Sequence, residues 1–293
     1  LKKKLIEIED FEKVLSIYKG KWGRRLAKYT CRLFSIDKVN VLYERSSDYR
    51  GAEFAESILK DLGINYLIGN AEKLALLKEG PFITVSNHPY GGVDGVMLVD
   101  LVAGFRPDYK VMVNQVLSMV EAMGDNFIKV VPKVGRKTPD PTINMGSIRE
   151  VMAHVKGGHP VGFFPAGAVS MFNMRNLKIR DRQWQEGVVR LIQSMKVPIV
   201  PIRFFDKNSP FFYFLDLISW RIRLFRMPYE LFNKEDRQIR IGIGDIISVE
   251  DQMKYTDTNA LGAYLHKVIY DMPVPSTFTF RSDFANPNDK DLA

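Results

Sequence analysis

One cysteine, Cys31, stands in 293 residues, so the chain can form no internal disulfide and no cysteine-rich zinc site. Its setting, YTCRLF, has a helical pattern, where a thiol is first a packing group. Histidine is scarce too, at four residues. His154 and His266 fall inside predicted helices and His159 just before a strand, which are structural or exposed settings. No His/Cys/Asp/Glu spacing suggests a metal site, and no metal or other cofactor is expected. No apolar run reaches the ~18 residues of a spanning helix, and the opening LKKKLIEIED is too charged for a signal peptide. Zinc spacings, an RRM signature and a helix-turn-helix are all missing, so a net charge of +8 and a pI near 9.3 do not point to nucleic acid. The basic balance suits an anionic membrane surface or an acidic carrier instead.

What is present is ordinary for a globular chain: 46% hydrophobic and 26% charged residues, enough to bury a substantial core. Residues 1–63 read as a helical segment. Leu5, Ile8, Phe11, Val14 and Leu15 form one stripe. The next helix, over 19–34, sets Arg24, Arg25, Lys28 and Arg32 beside Trp22, Leu26, Tyr29, Leu33 and Phe34. That pattern fits an interfacial helix or a solvated outer face equally. Two more helices follow, over 36–46 and 52–62. From residue 64 strands and helices alternate, with strands over 65–68, 82–86, 109–113, 127–131, 161–164, 198–204 and 238–243. Helices are expected over 95–103, 144–155, 183–195 and 256–270. Alternation of this kind implies an α/β domain over 64–293, a mostly parallel central sheet flanked by helices. The most apolar stretch, 209–227, carries Asp216, Arg221, Arg223 and Arg226, so it reads as lying in a headgroup layer or lining an apolar site. Pro228 is expected to end it. After Met272 little periodicity remains, and the tail is expected to drape.

Two stretches carry chemistry. In PFITVSNHPYGGVD a buried strand breaks at Asn87-His88-Pro89, which puts His88 just past its carboxyl end, the usual ligand edge of an α/β sheet. Asp94 follows six positions on. An imidazole backed by a carboxylate can take a proton from a hydroxyl as that hydroxyl attacks a carbonyl. The same spacing also fits a loop histidine with Asp94 opening the next helix. No G-x-S-x-G elbow is present, and Ser86 and Ser170, the candidate nucleophiles of a hydrolase, lack that context. The second stretch, PVGFFPAGAVS, repeats the design of strand, sharp break and small residues. Behind it Arg175, Lys178, Arg180 and Arg182 crowd a loop, a cluster that suits the phosphates of an anionic ligand or, alternatively, a solvated loop.

With both stretches in view a resemblance is plain. NHPYGGVD resembles the N-H-x4-D block of the glycerolipid (1-acylglycerol-3-phosphate type) acyltransferase family, and FFPAGAVS resembles its F-P-E-G-T-x-S block. Phe127-Ile128-Lys129 stands where the family has F-I-x-R, and Val197-Pro198-Ile199-Val200-Pro201 resembles its final Val-Pro strand. The four blocks run in order over roughly residues 65–250. The likeness is greatest to the branch of hemolysin-like proteins and ornithine- and glycine-lipid O-acyltransferases. It implies transfer of a fatty acyl group from a thioester donor, acyl-CoA or acyl carrier protein, to the hydroxyl of a lyso-lipid acceptor. The implied place is peripheral, on the cytoplasmic face of the inner membrane against anionic lipid. His88 and Asp94 become the implied catalytic pair. Asn87, Gly91, Gly92, Lys129, Phe164, Pro165, Ala166, Gly167 and Ser170 become implied substrate contacts, joined by Arg175, Lys178 and Arg180. Backbone N–H groups around Gly167 are the expected oxyanion donors.

The departures are specific. Five residues, not four, separate His88 from Asp94, and the doubled Gly91-Gly92 supplies the extra one. Ala166 replaces the family's Glu, Ala168 its Thr, and Val130 falls where its Arg would be. In the family that Glu and Arg meet a glycerol-phosphate acceptor. Their loss points to a lyso-aminolipid, a lyso-glycine or lyso-ornithine lipid, whose carboxylate Lys129, Lys133 or Arg136 would meet. The alternatives are a 1-acylglycerol-3-phosphate acyltransferase and a non-catalytic, membrane-binding hemolysin-like protein.

Overall fold

The computed structural model describes Leu5, Glu7, Glu9 and residues 18–131, 144–235 and 237–284. Most of the expected helix over 5–15, and the basic loop with Lys133 and Arg136, lie outside the described residues.

Among the described residues three helices come first, α1 (Gly20–Leu33), α2 (Ile36–Arg45) and α3 (Gly51–Asp61). Then follow β1 (Leu67–Gly69), β2 (Ile83–Ser86), α4 (Gly92–Leu98), β3 (Lys110–Asn114), β4 (Phe127–Val130), α5 (Met145–Lys156) and β5 (Val161–Phe163). A hairpin of β6 (Met171–Asn173) and β7 (Lys178–Arg180) precedes α6 (Glu186–Met195) and β8 (Ile199–Phe204). The chain continues through α7 (Pro210–Ile218), α8 (Trp220–Phe232), β9 (Arg240–Ile243), α9 (Val249–Met253), α10 (Thr258–Asp271) and β10 (Phe278–Phe280).

Among the described residues, eight strands form one sheet in the order β10-β1-β9-β8-β2-β5-β3-β4. Only β10 against β1 and β8 against β9 run antiparallel, so the sheet is mostly parallel, as the alternating pattern implies. β2 lies between β8 and β5 and is buried along its whole length, so the hydroxyls of Thr84 and Ser86 are buried along with Ile83 and Val85. Gly162 is required by close approach: a Cβ there would stand 2.0 Å from the Tyr109 hydroxyl. That hydroxyl hydrogen-bonds Thr84 at 2.6 Å across the middle of the sheet.

The core divides between the two faces. Tyr66, Ile68, Leu98, Leu101, Val200, Ile202 and Ile241 pack with α3 and α4 on one side. Ile83, Val85, Phe163 and Ile199 pack with Leu191, Ile192, Leu261 and Leu265 of α6 and α10 on the other. Each such side chain stabilises the fold by about 1.5–3 kcal/mol through burial.

Three expectations are corrected. The helix after the His88 loop starts at Gly92, not at residue 95, so Asp94 lies in its first turn rather than opening it. Pro228 does not end the apolar stretch. The break is at Ser219, and α8 runs through the proline to Phe232. Glu230 holds that last turn, accepting from the Ser209 N–H at 3.1 Å and hydroxyl at 2.6 Å, while Lys234 donates to its carboxylate at 3.2 Å. As far as residue 284 the tail does not drape either. β10 adds to the sheet edge, and Arg281 forks onto buried Asp100 at 3.0 and 3.2 Å, beside Tyr66, whose hydroxyl donates to the same carboxylate at 2.5 Å. A single buried acid with no local partner pulls in a cation 181 residues away, a signal periodicity does not carry.

Candidate active site

The parallel strands β2, β5 and β8 end side by side, and each end supplies part of one cluster. After β2 the Asn87 side chain bridges to β8, donating to the Phe204 carbonyl at 2.9 Å and accepting its N–H at 2.8 Å. This rung fixes the chain one residue before His88, and both ends of the amide are taken. After β5, the Phe164 ring lies against the His88 imidazole, 4.3 Å between centroids. After β8, the Asn208 amide donates to the Pro89 carbonyl at 3.1 Å, and the Tyr213 hydroxyl reaches the same oxygen at 3.4 Å.

His88 and Asp94 do meet. Nδ1 of His88 stands 2.8 Å from Oδ2 of Asp94. The doubled glycine makes this contact possible across the extra residue. Gly91 turns at φ +82°, and the Tyr90 and Gly91 N–H groups donate to the same Asp94 oxygen at 2.9 and 3.0 Å. Asp94 is fully buried, and burial raises its carboxyl above the ordinary value, opposed by the His88 ring and the two N–H groups. With Nδ1 held, Nε2 is the nitrogen left to meet a substrate, on a side chain 18% exposed. The geometry suits a base oriented by a carboxylate.

The FPAGAVS turn closes over this pair. Ser170 donates its N–H to the His88 carbonyl at 2.8 Å and its hydroxyl to Asp181 at 2.5 Å. Asp181 also accepts the His88 N–H at 3.2 Å, and its own N–H donates to the Tyr270 hydroxyl at 2.6 Å. Ser170 is thus committed to holding the loop, while Ser86 is fully buried in β2; neither is paired with the His88 ring. Ala166, where the family has Glu, is buried, and its carbonyl accepts from Arg182 at 2.8 Å and Gln185 at 3.3 Å. Gly167 turns at φ +60°, and a Cβ there would strike the Gln185 amide at 1.8 Å. Its N–H donates to the Phe164 carbonyl at 2.9 Å, so this amide, expected as an oxyanion donor, is already engaged.

Not every expected contact gathers here. Asn87, Gly91, Phe164, Pro165, Ala166, Gly167 and Ser170 belong to the two loops at the strand ends, and Gly92 is the first residue of α4. Lys129 is exposed on the edge strand β4, with β5 and β3 between it and β2. Arg175 and Lys178 are exposed on the hairpin, while Arg180 lies over the Tyr270 ring, 4.9 Å to its centroid. Arg223, read from the sequence as a headgroup cation, is buried instead. It pairs with Asp216 at 2.9 Å and donates to the Ser170 carbonyl at 3.4 Å, and burial lowers its proton affinity. Sequence reasoning missed Asp181, Asn208, Tyr213 and Tyr270. Only Asn208 had a usable signal, since it follows its strand as His88 follows β2.

The acyltransferase family model matches residues 12–271. The chain belongs to the acyltransferase family. It is 27% identical over 274 residues to the lyso-glycine lipid O-acyltransferase of Bacteroides thetaiotaomicron, covering 89% of this chain and 96% of that one. It is 25% identical over 272 residues to the protein of that name from Phocaeicola vulgatus, covering 89% and 94%. Among solved structures it is similar to the 1-acyl-sn-glycerophosphate (LPA) acyltransferase PlsC from Thermotoga maritima, at 14% identity and a TM-score of 0.44, over 90% of this chain and 95% of that one. In this acyltransferase the His88–Asp94 pair lies where the loops after β2 and β5 meet.

Proposed function

We propose that this acyltransferase works at a membrane surface, moving a fatty acyl group from a thioester to the hydroxyl of a lyso-aminolipid of the glycine-lipid class. The contact of His88 with buried Asp94, with no serine paired to the ring, carries the reading. Nε2 takes the proton of the acceptor hydroxyl as its oxygen attacks the thioester carbonyl. Collapse of the tetrahedral adduct breaks the carbon–sulfur bond, and the imidazolium returns the proton to the leaving thiolate. Asp94 fixes the tautomer and stabilises the transient cation. No covalent acyl-enzyme is required. In this reading Arg175, Lys178 and Arg180 of the hairpin meet the donor's phosphates, whether of coenzyme A or of acyl carrier protein.

Two observations favour an amino-acid acceptor. Ala166 and Val130 replace the charged residues that meet a glycerol phosphate, and both curated relatives are named for lyso-glycine lipid. Working at a membrane surface is favoured by exposed apolar side chains. Trp22 (80% exposed), Tyr29 and Leu33 on α1, Phe211, Phe214 and Ile218 on α7 and Phe225 on α8 are all exposed, and the tilted rings of Phe34 and Phe225 meet at 5.0 Å between centroids. Arg24, Arg25, Lys28 and Arg32 adjoin those of α1 in sequence, the composition of an interfacial helix. No helix among the described residues is long and apolar enough to cross a membrane. The test is a competition between lyso-glycine lipid and lysophosphatidate for one acyl donor. Acylation of the aminolipid is expected; acylation of lysophosphatidate alone would restore the phospholipid reading.

A further inference from the structure

Asp181 directly follows β7, outside the four sequence blocks that resemble the family's, and none of the catalytic steps above uses it. In sequence it stands between Arg180 and Arg182, a setting that suggests a neutralising charge. In the structure both cations turn elsewhere. Arg180 lies over the Tyr270 ring, and Nε of Arg182 donates to the Ala166 carbonyl at 2.8 Å. The Asp181 carboxylate joins the two catalytic loops instead, on a residue only 8% exposed. One oxygen, Oδ1, serves two donors there. It accepts the His88 N–H at 3.2 Å and the Ser170 hydroxyl at 2.5 Å. The Ser170 N–H in turn donates to the His88 carbonyl at 2.8 Å. Both main-chain polar groups of His88 are therefore taken, and the contacts close a ring of hydrogen bonds around its backbone.

This ring does what Asp94 cannot. Asp94 holds Nδ1 and so sets the turn of the imidazole, but not where the backbone that carries it stands. Asn87 bonds to β8, and Asn208 grips the Pro89 carbonyl, one residue to either side. Asp181 grips His88 itself. The grip is anchored in turn. The Asp181 N–H donates to the buried Tyr270 hydroxyl at 2.6 Å, and Arg203 donates to the Tyr270 carbonyl at 2.7 Å. A carboxylate oxygen can accept both donors strongly. The position it holds matters, because a shift of about 1 Å at a reacting group can cost on the order of 10²-fold in rate. We propose that Asp181 is a positioning residue for acyl transfer, locking the FPAGAVS turn onto the main chain of His88 so that Nε2 stands where the acceptor hydroxyl arrives. This role rests on the reading of His88 as the base and adds the group that fixes its place.

Rate and main-chain position are read separately. For Asp181→Ala, Asp181→Asn and Tyr270→Phe, kcat and both KM values are measured beside Tm. The His88 amide is followed by NMR in protein carrying isotope-labelled histidine, which has four such residues, and its signal is identified by its loss in His88→Ala. Asp181→Ala is expected to lower kcat about tenfold to 10²-fold with either KM within about twofold. It should shift the His88 amide and leave those of His154 and His159 in place. Asp181→Asn keeps an acceptor oxygen for the two donors and is expected to recover kcat to within about threefold of wild type. Tyr270→Phe frees the Asp181 N–H but keeps the carboxylate, so a smaller fall in kcat and a smaller shift of the same amide are expected. In a cycle with Ser170→Ala the losses in kcat should fall well short of additive, because both changes open one ring. A folded Asp181→Ala protein with wild-type kcat or an unmoved His88 amide overturns the role. A loss that Asp181→Asn does not recover, or additive losses in the cycle, also overturns it. If Asp181→Ala does not fold, Tyr270→Phe decides: lowered kcat with a moved His88 amide supports the role, and any other result refutes it. Full turnover by His88→Ala overturns the functional reading instead, while the amide response still reports the contact.

Discussion

Replacing Gly91 by alanine tests how the extra residue between His88 and Asp94 is accommodated. Gly91 sits at φ +82° and ψ −122°, a region that residues with a side chain rarely enter, and forcing one there costs about 1–3 kcal/mol. A Cβ would also stand 2.1 Å from the Met227 methyl of α8 and 3.2 Å from Val169 of the FPAGAVS turn. The methionine end can move, so overpacking adds about 1–3 kcal/mol, toward the low end. The Gly91 N–H is one of two that hold Asp94, so any shift also loosens the carboxylate behind His88. The expected outcome for Gly91→Ala is a loss of about 2–5 kcal/mol by denaturant unfolding, with a fall in kcat larger than any change in acceptor KM. In a double-mutant cycle with Met227→Ala, the contact share is recovered as a coupling of about 1–3 kcal/mol, while the backbone share persists. A Gly91→Ala protein with wild-type stability and turnover would refute the reasoning.

Removing Arg223 leaves Asp216 unpaired in a buried site, so Arg223→Ala should cost about 3–5 kcal/mol in unfolding experiments. Replacing both by apolar residues of similar size should recover most of that loss. Burial holds His154 and His266 below the ordinary imidazole value of 6.5. The unfolded chain therefore takes up protons first as pH falls. The stability these residues contribute is present above about pH 6.5 and is lost as pH drops through their lowered folded values. The His154→Gln, His266→Gln protein should show a shallower fall of Tm between pH 7 and pH 5. Vesicles with anionic lipid should bind the protein more tightly than neutral ones, with the difference shrinking as salt rises at roughly 1 kcal/mol per surface cation. Trp22→Ser with Phe211→Ser should weaken binding to both kinds of vesicle, checked by sedimentation.

Much of the fold was readable because it rests on local pattern. The buried ITVS strand and the Pro-Gly breaks at Pro89 and Pro165 placed two loops at the carboxyl edge of a parallel sheet. His88 and Asp94 were readable for the same reason, being six residues apart on one loop. What was not readable depends on pairing across distance. Asp181 hides among four cations in the sequence, yet its bonds run to His88, Ser170 and Tyr270. Arg223 looked like a surface cation because it stands with Trp220, Arg221 and Arg226 in one apolar stretch, but its own position on α8 turns inward to Asp216. Pro228 breaks the local helical rule, and the buried Glu230–Ser209 contact outweighs it. As far as residue 284 the tail is held by one ion pair and a three-residue strand, which periodicity does not report.

The most direct measurement is the rate of acyl transfer by His88→Ala under saturating donor and acceptor, beside its Tm. The ring is partly exposed and its loss leaves the Asn87 rung and the Ser170 contact in place, so the fold should persist. A positioned base contributes about 10²–10⁴-fold, and kcat is expected to fall by that much with Tm little changed. Turnover equal to wild type in a folded His88→Ala protein would contradict the assignment of His88 as the base.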